Sequence, residues 1–425
     1  MGSFERIIGY EGIKTELRQI VDMMKNPKRY MALGAEMPKG VLLYGDPGLG
    51  KTLMATALMN EAGVQTITVR RTKKNGEIVD DIVNAFDFAK TNAPAIILLD
   101  DMDKFANEDE QHCDAEEYVA VQTCIDEMQD SNVLVVATVN NIRKLPRSLT
   151  RAGRFDRKIQ MVSPTGADAV DILKHYLIDK PVSKDIDVQD IYKMVNTSSS
   201  AEIKTVLNEA AIIAGFEMCE RIEERHLVEA VLRRHYGGPG EKEINTNGTE
   251  IEKVALHEAA HLVVAESLKQ GSIGFVSIRQ DDSGQCEGAV HSCSFNVKRP
   301  HHIMTSLAGK VAVEMRFGGI ANGCSSDLDK AIDAIAEGLR RSATRGPSLL
   351  DSPRMCNSDN YYLRMETTIN AELERYTLEV KNILLKNNKM LERVTEELKS
   401  KQYLLYSDIQ KIEEECGLYK KEIVC

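Results

Sequence analysis

The side chains with most chemistry to offer are His257, Glu258 and His261, in the stretch VALHEAAHLVVA from Val254 to Ala265. Two histidines four residues apart fall on one face of a helix, about one turn from each other. Both imidazoles can then reach one metal ion, and Glu258 can accept a proton from water bound to it. With 9 His in 425 residues, chance would produce this H-E-x-x-H pattern about 0.02 times. The competing reading is an amphipathic core helix with two buried histidines. The rarity of the pattern favours a zinc hydrolase site.

Two histidines leave a catalytic zinc one protein ligand short. No His follows at the metzincin spacing. The downstream candidates are Glu287 in an expected hairpin turn, Glu314 on an expected helix, and Asp327 at a helix start. A carboxylate there is also favoured by the helix dipole and by capping. Spacing alone leaves Glu314 and Asp327 level. Cys286, His291, Cys293 and Cys324 match no closed zinc motif.

A second chemical stretch is GDPGLGKT, Gly45–Thr52, after an apolar run at Gly40–Tyr44 and before a helix expected from Lys51. Strand, glycine-rich loop and helix is the setting a phosphate loop requires. Asp46, Pro47, Gly48, Leu49 and Gly50 would wrap the phosphates. Backbone N–H groups there turn inward, and the helix N-terminus adds positive potential. Lys51 would neutralise the β- and γ-phosphates and the Thr52 hydroxyl would ligate Mg²⁺, with Leu53 next in the same nucleotide-binding turn. Apolar runs at Ala95–Leu99 and Val133–Thr138 end in Asp100-Asp101 and near Asn140. Such runs fit buried strands of a doubly wound parallel sheet, whose ligands gather at the carboxyl ends. Asp100 would hold Mg²⁺ through water and Asp101 would orient the attacking water; as bland alternatives, acidic residues also end strands as turn formers.

These sites need elements to carry them. Residues 12–31 carry a helical pattern that stops near Asn26-Pro27. The doubly wound region is expected over 1–164, and a helical lid over 165–236, with helices at Ala169–Ile178, Ile203–Met218 and Glu224–Arg234. Gly237-Gly238-Pro239-Gly240 and the polar residues after it mark a linker over 237–248. A mainly helical metal domain would fill 249–425, with two strands at Phe275–Arg279 and Ala289–Cys293 whose edge could pair with an extended peptide. Then come a helix at Pro300–Phe317, a glycine-rich turn at Gly318–Gly323, and a helix capped by Ser325 or Ser326. Residues 345–360 read as a loop and 365–400 as one or two long helices. Ser407 with Gln410 reads as a capping box for a last helix that stops at Gly417.

Composition sets limits. The chain is 43% apolar and 28% charged, with no Trp and 5% aromatic residues, the profile of a globular protein of two to four domains. Few aromatics argue against single-strand stacking, and a net charge of −11 against general phosphate-backbone binding. Nucleic acid is therefore not an expected partner. Nine cysteines, odd in number and without a framework, fit free thiols in the reducing cytoplasm. No apolar run approaches a membrane span and no signal peptide opens the chain. A membrane tether on the cytoplasmic face remains compatible with a start at Met1-Gly2-Ser3.

Taken together, GVLLYGDPGLGKT, IILLDDMD, TRAGRFDR, VLNEAA, HEAAH and CSSDLDKA make the chain resemble the ATPase-plus-protease portion of the FtsH-type AAA zinc metalloproteases, from Phe4 onward. The resemblance implies an α/β AAA+ fold followed by a mainly helical protease domain, with ATP, Mg²⁺ and Zn²⁺ as cofactors. It makes Asp327 the third zinc ligand and Glu314 a supporting residue. It also makes Arg151 and Arg154 arginine fingers toward a neighbouring subunit, Asn140 a water-holding sensor, and Ile8-Gly9 a surface for adenine. Fingers acting in trans imply a ring, in this family a homo-hexamer.

Three departures stand out. Asp101 replaces the usual Glu, which shortens the reach to water and slows hydrolysis. RRTKKNGEIVDD stands where the family has an aromatic, glycine-containing pore loop. Ser199-Ser200-Ala201-Glu202 replaces a glycine-containing sensor region. The function expected is an ATP-dependent zinc endopeptidase for unfolded or membrane-associated proteins. The alternatives are a weakly hydrolysing regulatory or assembly ATPase and a peptidase that uses nucleotide only to assemble.

Overall fold

A computed structural model of the chain describes residues 3–71, 77–104, 115–128, 131–151, 153–195, 199–236, 248–280, 286–292, 298–319, 325–341 and 359–421. The chain forms two compact units, Met1–Pro181 with Asn196–Phe216, and Val182–Val195 with Glu217–Cys425. The 165–236 stretch, expected as one lid, contributes to both. Residues 72–76 of the basic pore segment, 237–247 of the linker, and Ala152, Cys293 and Cys324 lie outside the described residues.

The first unit holds five parallel strands, β1 (Gly40–Tyr44), β2 (Gln65–Val69), β3 (Ala95–Leu99), β4 (Val133–Val139) and β5 (Arg157–Gln160), in the order β2-β3-β4-β1-β5. Its helices are α1 (Glu11–Lys25), α2 (Pro27–Met31), α3 (Lys51–Ala62), α4 (Glu77–Thr91), α5 (Ala115–Glu127), α6 (Ala167–Leu177) and α8 (Ser200–Phe216). Strands β1, β3 and β4 are apolar because both faces are covered. Their alternate residues divide the core: Leu42, Ile97 and Val135 meet Ile82, Phe86 and Ile125 of α4 and α5. Val41, Leu43, Ile96 and Val136 meet Leu17 and Ile20 of α1 and Met54 and Leu58 of α3. Strand β4 lies between β1 and β3, so the loops after all three strands open side by side. This is the α/β fold of an AAA+ ATPase.

The second unit is mostly helical: α7 (Val188–Val195), α9 (Glu224–Tyr236), α10 (Gly248–Leu268), α11 (Arg299–Phe317), α12 (Ser325–Arg341), α13 (Asp359–Lys386), α14 (Asn388–Lys401) and α15 (Tyr406–Cys416). Helix α10 is apolar nearly all round and buries Leu256, Ala259, Ala260, Leu262 and Val263 completely or almost so. A helix with that pattern belongs at the centre of a core. An antiparallel sheet, β7-β6-β8, packs beside it, with β6 (Ile273–Gln280), β7 (Cys286–Ser292) and β8 (Tyr403–Leu405).

The expected capping box needs correction. Helix α15 starts at Tyr406, so Asp408, not Gln410, sits in its third position and accepts the Leu405 N–H at 3.2 Å. The Ser407 hydroxyl instead donates to buried Asp190 of α7 at 2.8 Å. Among the described residues no helix is long and apolar enough to cross a membrane.

Candidate metal centre and nucleotide site

The first turn of α12 brings Asp327 to the two histidines of α10. His257 Nε2 and His261 Nε2 are 2.9 Å apart, and each lies 3.2 Å from Asp327 Oδ2. Zinc bonds of about 2.0–2.1 Å in a tetrahedron would set donor atoms about 3.3 Å apart, so this set fits Zn²⁺. The other ring nitrogen of His261 donates to the Thr305 carbonyl of α11 at 2.6 Å, which aims the Nε2 lone pair at the centre. Lys330 donates to the outer oxygen of Asp327 at 2.9 Å. Glu314 is bound instead to Lys310 on its own helix, at 2.5 Å, and the side chain of Glu287 lies outside the described residues.

Charge and burial act together here. Burial alone would raise the Asp327 carboxyl, but hydrogen bonds from His257 and His261 outweigh it and hold the group well below the carboxylate range. Burial disfavours charge on His261, and the bond to Asp327 more than compensates. Glu258 is buried and its carboxyl is pushed up by that burial, with the two histidines pulling the other way. Two glycines make room for the cluster. A Cβ on Gly309 of α11 would lie 2.4 Å from the His257 ring, and one on Gly288 of β7 would lie 2.3 Å from Glu258 Cγ.

Another group in this unit, Glu217, Cys219 and His226, also brings three donor atoms together. His226 Nδ1 accepts the Glu223 N–H at 2.9 Å, so Nε2 carries the proton that faces Glu217 at 3.2 Å. Arg225 binds the same carboxylate. A protonated nitrogen and a guanidinium do not suit a cation.

In the first unit, Gly45, Gly48 and Gly50 take positive φ (148°, 80° and 88°) and turn the loop into α3. Only glycine takes all three without strain. The Lys51 ammonium donates to the Gly45 and Asp46 carbonyls, both at 2.7 Å. Burial lowers its pKa, while Asp101, Asp103, Asp46 and Asp100 oppose that effect. Asp100 Oδ1 accepts the hydroxyls of Thr52 at 2.8 Å and Thr138 at 2.7 Å. Thr52 and Asp100 therefore meet as Mg²⁺ would require.

Asp101 takes a left-handed backbone (φ 53°) and binds Lys104 at 2.6 Å and the Asn140 side-chain amide at 3.4 Å. Asp103 accepts the N–H groups of Asn140 (3.3 Å) and Asn141 (3.2 Å), fixing that turn. Ile8 is half-buried, and Gly9 lies against Asp168 of α6. Pro47 and Leu53 are exposed while Leu49 is core. Ser199 and Glu202 bind each other's backbone and form the capping box of α8. Ser200 then donates its hydroxyl to the Gly48 carbonyl at 3.0 Å.

The two finger candidates differ. Arg151 is exposed. Arg154 is buried, with Nε and Nη2 on Asp126 (2.8 and 2.6 Å) and Nη1 on the Ser148 carbonyl (2.5 Å). Sequence reasoning gave no role to Gly309, Gly288, Thr305, Thr138 or Asp103. An isolated glycine inside the helical pattern of α11 was the one available signal.

The sheet order, the glycine-rich loop after β1 and the acidic end of β3 define the class, an AAA ATPase. The family description "ATPase family associated with various cellular activities (AAA)" matches residues 41–162. The "ATP-dependent zinc metalloprotease FtsH" of Sulfurovum sp. (strain NBC37-1) is 32% identical over 349 residues, covering 77% of this chain and 52% of that protein. The protein of the same name from Helicobacter felis is 31% identical, covering 78% of this chain and 55% of its own length. "ATP-dependent zinc metalloprotease FtsH 1" of Methylacidiphilum infernorum is 29% identical across 99% of this chain and 71% of its own. The chain belongs to the FtsH-type AAA zinc metalloprotease family. It spans about half the length of the first two of these relatives.

Proposed function

We propose that the chain is the ATPase and peptidase portion of an ATP-dependent zinc endopeptidase. It would act on unfolded or membrane-associated proteins, as a homo-hexamer, in the cytoplasm or tethered at the cytoplasmic face of a membrane. The observation that carries this reading is the meeting of His257 Nε2, His261 Nε2 and Asp327 Oδ2 within 3.2 Å of one another. Zinc held there would supply a Lewis acid for water and for the scissile carbonyl. Glu258 takes the proton of the attacking water and delivers it to the leaving amine. Strand β7 lies at the edge of its sheet with Gly288 against Glu258. A peptide that adds to that edge runs past the carboxyl.

On the nucleotide side, the N–H groups of the 45–50 loop and Lys51 bind the phosphates. Thr52 and Asp100 hold Mg²⁺, Ile8 and Gly9 flank adenine, and Asp101 and Asn140 orient the water. Arg151, exposed, reaches a neighbour's γ-phosphate, and Arg154 anchors the segment that presents it. The test is cleavage of casein with ATP and Zn²⁺ beside a Glu258→Gln variant; equal cleavage by both ends the reading. The Lys104 clamp on the short Asp101 side chain favours a second reading, a weakly hydrolysing regulatory ring. ATP turnover strongly stimulated by unfolded protein would count against it.

A further inference from the structure

We propose that Arg70 is a built-in competitor for the divalent cation at Asp100, so that its guanidinium and the metal of a bound nucleotide hold this carboxylate in turn. The proposal rests on the nucleotide-site reading above. Arg70 Nε lies 2.8 Å from Asp100 Oδ2, while Asp100 Oδ1 takes the hydroxyls of Thr52 and Thr138. The carboxylate that would help hold Mg²⁺ therefore shares one oxygen with Thr52 and gives the other to a cation from the chain itself.

The backbone fixes this meeting. Val69 and Leu99 are register partners of β2 and β3, and the Asp100 N–H donates to the Val69 carbonyl at 3.0 Å. Arg70 and Asp100 are thus the first residues past the carboxyl ends of two adjacent strands. The guanidinium side chain is more than half exposed, the carboxylate hardly at all (57% against 7%). A pair of that kind is held weakly on one side and can open without leaving a buried cation unpaired. Around it stand Asp46, Asp101 and Asp103, and the cations Lys51, Lys104 and Arg71, whose guanidinium donates to the Lys104 carbonyl. A divalent ion between Thr52 and Asp100 would repel the guanidinium and displace it. Because Arg70 directly ends β2, the start of the basic segment would then shift with the metal-loaded state of the site.

The test is the binding of N-methylanthraniloyl-ADP to the full chain, titrated with Mg²⁺, for the wild type, Arg70→Met, Arg70→Lys and Lys51→Ala. Arg70→Met is expected to lower the Mg²⁺ concentration at the binding midpoint about three- to ten-fold. Binding in EDTA should stay within about two-fold of the wild type, and Arg70→Lys should retain most of the wild-type midpoint. An unchanged or raised midpoint in Arg70→Met overturns the proposal while leaving the nucleotide site intact. Binding indifferent to Lys51→Ala overturns the nucleotide reading, and this inference with it.

Discussion

The imidazole of His257 rests directly on the backbone of Gly309, with no space for even one more carbon between them. A methyl there would sit 2.4 Å from Cε1 and Nδ1 of the ring. Gly309→Ala is therefore expected to turn His257 away from Asp327 even though alanine favours a helix by about 1 kcal/mol. Bound zinc, counted by elemental analysis of purified protein, should fall at least about tenfold. Nucleotide binding should be unchanged. Full zinc occupancy in the variant would show that α11 does not constrain the ligand.

Arg151 and Arg154 should separate cleanly. Arg154→Ala removes a buried guanidinium and strands Asp126 and the Ser148 carbonyl. A loss of about 1–3 kcal/mol is expected, read in urea unfolding. Arg151→Ala should leave the unfolding midpoint within about 0.5 kcal/mol and lower ATP turnover at least tenfold. Matching stability losses in both variants would contradict this division.

Asp101→Glu should speed hydrolysis. On the proposed role of Asp101, one more methylene carries the carboxylate farther from the strand end, toward the water it would orient, and an increase of about tenfold in kcat is expected. The left-handed backbone at this position costs a glutamate on the order of 1 kcal/mol, which a thermal melt would register as a small drop. A lower kcat in the variant would mean that the aspartate is already matched to its water.

A pH dependence is written into the far end of α10. Glu266 is buried and accepts the N–H groups of Gly271 (2.5 Å) and Ile273 (2.7 Å). Burial, with a further push from nearby Glu413, raises its carboxyl from 4.5 to about 8. The folded state then holds a proton that the unfolded chain has released. Its contribution to stability is complete below pH about 4.5 and is lost as pH rises through about 8. Glu266→Gln keeps the acceptor oxygen and removes the titration. Thermal midpoints between pH 5 and 8.5 in excess zinc should fall less in the variant than in the wild type. Parallel pH profiles would refute the assignment.

The central strands are legible in the sequence because burial on both faces leaves an unbroken apolar run, and α10 because its H-E-x-x-H spacing stands out among apolar residues. GVLLY, AIILL and VLVVATV could be read as strands directly. QTITV and RKIQ could not, because β2 and β5 lie at sheet edges, half wet, and carry polar residues. Strand β8 has only three residues and gains its identity from Phe275, Val276 and Ser277, far away in the chain. The same limit applies to the sites. His257, His261, Lys51 and Thr52 are local patterns, but the choice of Asp327 over Glu314 rested on family resemblance. The contacts of Gly309 with His257, Thr305 with His261 and Arg70 with Asp100 join residues from different elements. No spacing rule reaches across such gaps.

One feature of the chain's path matters to anyone who wishes to divide the molecule. The polypeptide passes between its two units three times, after Pro181, Val195 and Phe216. The glycine-rich sequence at 237–248 is thus a poor place for scissors. A fragment ending there would keep α7 away from its proper neighbours, exposing Ile191 and Met194, while its complement would lack the backing that α7 gives to β6 and α15. Separate expression of the two halves should therefore yield insoluble material, unless the seams follow the path of the chain rather than its punctuation.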